Sequence, residues 1–179
     1  MKKSSNKGLN FTTKLCYGIG NLGFGSLSQT VNNFIMFFGT SIMGISGSLV
    51  GIIIALSSLW DGVSDPLVGY ISDRTKSKKF GRRLGYMFYA TFALAISNML
   101  LWSFPDFSSE VLKCLYLFVF LIVIETANTF FATPYSALAI DIAPDYNDQS
   151  KIQGFKTVFF IIGMILPSVL MFFFMPCNR

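Results

Sequence analysis

Histidine is absent from the 179-residue sequence, and its 3 cysteines, Cys16, Cys114 and Cys177, share no ligand spacing. A zinc centre built from imidazoles and paired thiolates therefore has no support. Cys16 and Cys114 lie in or beside apolar runs, where the plain reading is a small core residue. Charge is scarce too. Asp, Glu, Lys and Arg make up 13% of the chain, against roughly 25% in ordinary soluble domains. No nucleophile–base pair stands out, so no enzyme is expected and no cofactor is implied.

Apolar residues are abundant instead: 53% of the chain is hydrophobic, with 20 Phe and 8 Met. The apolar runs are long and repeat along the chain, which predicts an all-α, multi-pass membrane protein. The basic start MKKSSNKGLNFTTK leads into a run too long and too Gly-rich for a signal-peptide core. Five spans are expected, at residues 13–38, 47–72, 84–104, 111–140 and 156–175. Each has about the ~20 residues that cross a ~30 Å hydrocarbon core. The first is only weakly hydrophobic, holding Gly18, Gly20, Gly23, Gly25, Gln29, Asn32 and Asn33. Transporters assembled from three-helix repeats would need a sixth span, so residues 1–179 read as the first part of a larger transmembrane domain.

The net charge of +5 is a topology signal. Lysines precede the first span, a cluster of Lys and Arg fills residues 74–83, and Lys151 and Lys156 lie between spans four and five. The opposite connections, GTSIMGISG and PDFSSE, contain neither Lys nor Arg. The positive-inside rule then puts the N-terminus and the loops 73–83 and 141–155 in the cytoplasm. The basic run contacts lipid headgroups or the other half of the molecule, and nucleic acid is not expected. A cysteine replacing Ser108 should react with an impermeant thiol reagent on intact cells, and one replacing Ser77 should not. Labelling at Ser77 would overturn the topology.

The second span carries two acids, Asp61 and Asp65, in LWDGVSDPLVGYISDRT. They lie one turn apart and share a helix face. Counted back from Asp73, they sit ~18 Å and ~12 Å along the helix, straddling the membrane midplane. A carboxylate there costs at least ~2.5–3.5 kcal/mol. Binding a monovalent cation, Na⁺, Li⁺ or H⁺, makes that cost tolerable. A structural pair salt-bridged to another helix is the alternative. Upstream of the fifth span the basic candidate for that is Lys113, near the outer end of span four. Thr129 matches Asp61 in depth and offers a neutral oxygen, or else bonds the carbonyl of Glu125. Glu125 is a second ionisable site or a charge on the translocation path. Asn21 and the other span-one amides line a watery path or pack closely between helices. Gly69 permits close helix contact, and Asp73 caps the loop or pairs with an Arg. Pro134 frees a carbonyl in span four.

These motifs carry a resemblance. Gly69, Asp73 and Arg74 with Gly81, Arg82 and Arg83 resemble the signature loop of the major facilitator superfamily. WDxxxDPxxG at Trp60–Gly69 and the longer loop SDRTKSKKFGRR are similar to the melibiose permease-like glycoside–pentoside–hexuronide:cation symporters. KLCYGIGNLGFG, PYSAL and the Asp145–Ile152 pattern fit the same family. The resemblance implies the N-terminal six-helix half of a twelve-helix symporter, short of its sixth helix and of its C-terminal half. It implies a cation-coupled carrier of sugars, glycosides or related solutes in the cell membrane, driven by Na⁺ or H⁺. Asp61 and Asp65 would bind the cation, with Ser64 and Thr129 helping. Tyr17, Asn21, Glu125 and Lys156 would line the substrate path. The galactoside acids are not kept: Phe24-Gly25 and Ala132 stand in their places, and Lys156 replaces an Arg. Lysolipid symporters of the superfamily share WD…DPLVG, PDF and PYSAL, which makes an amphiphilic solute an alternative. A non-transporting truncated product or membrane scaffold is the other. On this reading residues 1–179 by themselves would not transport.

Overall fold

The computed structural model describes residues 10–74, 84–105, 107–143 and 145–174. The described residues form five long helices and no strand. They are α1 (Phe11–Phe37), α2 (Gly47–Arg74), α3 (Leu84–Trp102), α4 (Glu110–Ile142) and α5 (Tyr146–Phe174). A π-helical turn, Phe38–Ile42, continues α1. The helical choice follows from the solvent: a lipid interior offers no partner for backbone N–H and C=O groups, so each segment must satisfy its own. By length and composition α2, α3, α4 and α5 qualify as membrane spans. The run of Gly, Asn and Gln keeps α1 below that mark.

One expected boundary is corrected. The fifth helix begins at Tyr146 rather than near residue 156. The carbonyl of Asp145 accepts from the amides of Asp148 (3.1 Å) and Gln149 (2.9 Å), which starts the helix inside the polar stretch. Asp148 in the first turn also suits the positive end of the helix dipole. The expected cytoplasmic loop 141–155 is thus mostly helix.

The chain divides into two compact units. The first joins residues 1–30 with 139–179. Its seam runs between the start of α1 and α5. Lys14 and Asp148, both largely buried, pair at 3.5 Å. The Asn21 side-chain amide donates to the Lys156 carbonyl at 3.1 Å. The Ser26 hydroxyl lies within donating distance of the carbonyls of Gly163 (3.1 Å) and Leu22 (3.0 Å). Small residues let the two backbones meet, as is usual between helices in lipid. Val158, Ile161, Ile165, Val169 and Phe172 of α5 are exposed. That surface would be a liability in water and is ordinary in a bilayer.

The second unit holds residues 31–138. Its core includes Ile35, Phe38, Val50, Leu94, Leu101, Leu117, Leu121 and Ile124. Phe38 meets Trp102 edge-on, with ring centroids 4.8 Å apart. The turn into α2 needs Gly44, whose φ of 69° lies in the left-handed region. The Lys113 ammonium, on α4, donates to the Met43 carbonyl at 2.7 Å. It thereby serves a carbonyl that the end of the preceding helix leaves without an intrahelical partner.

Candidate cation site between the second and fourth helices

Helical spacing puts Asp61 and Ser64 on neighbouring positions of one face of α2, and Glu125 and Thr129 likewise on α4. In the second unit these faces meet. The Thr129 hydroxyl donates to Oδ1 of Asp61 at 3.0 Å. The Ser64 and Thr129 hydroxyl oxygens are 3.2 Å apart. Ser64 is 4% exposed and Thr129 2%. Each hydroxyl also has a carbonyl within its own helix, Asp61 at 3.1 Å for Ser64 and Glu125 at 3.1 Å for Thr129. Both sequence readings of Thr129, ligand and self-bonding residue, are therefore geometrically present.

A hydroxyl has one proton and two lone pairs. Thr129 can give its proton to Asp61 or to the Glu125 carbonyl, and Ser64 has a similar choice. With both protons turned to the carbonyls, the Thr129 oxygen presents a lone pair on the Asp61 side and the Ser64 oxygen one beside it. A donor network becomes a set of oxygen ligands with no heavy atom moved. Such ligands suit a hard cation. Among the described residues no group of three His, Cys, Asp or Glu side chains gathers to hold a metal.

Asp65 lies one turn further along α2 and is exposed. Among the described residues no basic side chain forms an ion pair with Asp61 or Asp65. Lys113, the candidate counter-charge, is used at Met43. Glu125 is half-buried, and the Asn128 amide donates to its Oε2 at 3.3 Å.

The remaining sequence candidates are spread more widely. Tyr17 and Asn21 are buried and Lys156 half-buried, all in the first unit. Gly69 faces Thr133, and a Cβ added there would stand 3.6 Å from its methyl, an ordinary contact. The guanidinium of Arg74 lies 4.2 Å from the Tyr70 ring centroid, a cation–π geometry. Gly81, Arg82 and Arg83 lie outside the described residues, as does the side chain of Asp73.

Two features escaped the sequence reading. The Trp60 indole donates to the Thr126 hydroxyl at 2.9 Å. Thr126 lies three residues before Thr129 and Trp60 directly precedes Asp61, so helical spacing could have paired them once α2 and α4 were known to touch. An apolar cavity of about 500 Å³ also opens between α3 and α4, lined by Tyr86, Tyr89, Ile122, Thr126 and Phe130 among others. Its walls carry no charge, so it is not a cation site.

Comparison with known proteins bears on the family of the chain. Residues 16–178 match the family described as MFS/sugar transport protein. An uncharacterized symporter of Synechocystis sp. is 34% identical over 90% of this chain and 30% of its own length. A putative glycoside/cation symporter of Escherichia coli is 28% identical over 83% of this chain and 32% of its own. The sodium-dependent lysophosphatidylcholine symporter 1 of Gallus gallus is 24% identical over 92% of this chain and 31% of its own. The chain spans about 30% of the length of the curated relatives it matches. Matched over nearly its whole length, the chain belongs to the MFS/sugar transport protein family, the major facilitator group that its motifs resemble.

Proposed function

We propose that this chain supplies the coupling-ion site of a Na⁺-driven symporter for an organic solute in the cell membrane, with its N-terminus in the cytoplasm. The observation that carries the reading is the Thr129 hydroxyl bonded to the Asp61 carboxylate beside Ser64. The absence of any basic partner for that carboxylate among the described residues supports it. Proton coupling needs one oxygen. One hydroxyl oxygen on the carboxylate, Thr129, and a second, Ser64, beside it favour Na⁺, which must replace several waters at once. Asp65 would supply the second carboxylate. Tyr17, Asn21, Glu125 and Lys156 would line the substrate path. Gly69, Asp73, Arg74, Gly81, Arg82 and Arg83 would form the loop that governs the conformational change.

The solute is a sugar, glycoside or related compound. Ala132 and Phe24-Gly25 in place of acids argue against galactosides. The relatives named for lysophosphatidylcholine and glycosides mark the two solute classes to test. Cation and solute would each raise the affinity for the other, because both favour the same conformation. The protein at its natural length, in proteoliposomes, should take up one member of a panel of glycosides and lysolipids when an inward Na⁺ gradient is imposed. Uptake driven equally by a proton gradient without Na⁺ would overturn Na⁺ coupling. No uptake of any solute would favour the scaffold reading.

A further inference from the structure

Two adjacent rungs join α2 to α4 in the second unit. One is the Asp61–Ser64–Thr129 cluster. The other is Trp60 to Thr126, which holds no carboxylate. Its proton directions are fixed. An indole N–H only donates, so Thr126 must accept at 2.9 Å and pass its own proton to the Ile122 carbonyl at 2.7 Å. The ordered chain Trp60 N–H, Thr126 O–H, Ile122 C=O has no alternative arrangement, unlike the hydroxyls of the neighbouring rung. Trp60 is joined to Asp61 by a peptide bond, and Thr126 shares a face of α4 with Thr129.

We propose that Trp60 is a positioning residue for the Na⁺ site. Its bond to Thr126 holds α2 and α4 in the register that keeps the Thr129 hydroxyl on Asp61. The inference rests on the cation-site reading above. Sliding one helix by a fraction of a turn would leave Trp60 packed in lipid yet pull the oxygen ligands apart. The rung therefore acts on affinity for the ion, and not on the number of sites.

The test is equilibrium binding of ²²Na⁺ to the purified protein at its natural length, with Li⁺ as competitor. Trp60→Phe removes the donor and keeps an aromatic ring. Thr126→Val removes the acceptor and keeps the shape. Both should raise the Na⁺ concentration for half-saturation by roughly three- to tenfold, the range expected from one interhelical hydrogen bond in a membrane. Binding capacity should not change, and the preference between Na⁺ and Li⁺ should shift. Thr126→Ser restores the hydroxyl and should bring half-saturation back to within about twofold of the parent. It also serves if the valine variant fails to fold. Wild-type half-saturation in both Trp60→Phe and Thr126→Val, with Asp61→Asn binding no Na⁺, would overturn the rung and leave the site standing. Reduced capacity at unchanged half-saturation would overturn it too, by showing a general structural role. No Na⁺ binding by the parent, or full binding by Asp61→Asn, would overturn the site itself and the rung with it.

Discussion

Asp61→Asn should abolish Na⁺ binding while leaving the fold intact. Asparagine keeps the shape, and its amide oxygen can still accept from Thr129, so the packing of α2 on α4 survives. The charge does not. A unit charge pair about 4 Å apart at an effective dielectric of ~20 is worth about 4 kcal/mol. Allowing for desolvation, affinity for the ion should fall on the order of a hundredfold or more. On the proposed reading, in which the solute contacts lie on other residues, solute binding measured without Na⁺ should persist. Thr129→Val should do less. It removes one neutral ligand and both carboxylates remain, so roughly a tenfold loss is expected, near the upper range for one hydrogen-bonding group. Melting in Na⁺ against choline at equal ionic strength reads the same quantity, since a ligand stabilises by mass action. An Asp61→Asn protein still stabilised by Na⁺ would show that the aspartate is structural.

Gly163→Ala should destabilise the protein more than alanine at the other glycines of the α1–α5 seam. A Cβ at Gly163 would stand 2.5 Å from the Leu22 carbonyl oxygen and 3.1 Å from the Ser26 amide nitrogen. Both are backbone atoms of α1, so the whole helix must move. Overpacking of this kind costs about 1–3 kcal/mol. At Gly18 the conflict is with the Phe159 ring, at 2.5 Å, and a ring can turn. Gly18→Ala should therefore fall between. A Cβ at Gly23 meets nothing within 4 Å, and Gly23→Ala should be neutral or stabilising through helix propensity. Thermal melts of the four proteins in detergent give the order. Equal melting points for Gly163→Ala and Gly23→Ala would mean that the two backbones do not meet as described.

Much of this was legible from the chain itself. Spans show in sequence because lipid imposes a simple rule, about 20 apolar residues in a row. Asp61 and Asp65 stood out because a carboxylate at that depth needs a reason. The motif around Trp60–Gly69 named the family on local pattern alone. The start of α5 at Tyr146 was missed because polar residues can be helical outside the hydrocarbon core, where hydropathy says nothing about backbone conformation.

Sequence by itself determined the all-α membrane class, the position of the two acids one turn apart on a single helix, and the family. It could do so because each rests on composition or on spacing within one helix. Only the tertiary structure decided which side chains meet across helices. It set Thr129 on Asp61 and Trp60 on Thr126, used Lys113 at the Met43 carbonyl, and buried Asn21 against the Lys156 carbonyl. Such pairings depend on the rotation and rise of one helix against another. Those are set by packing along the whole length of two helices, and no local stretch of sequence encodes them.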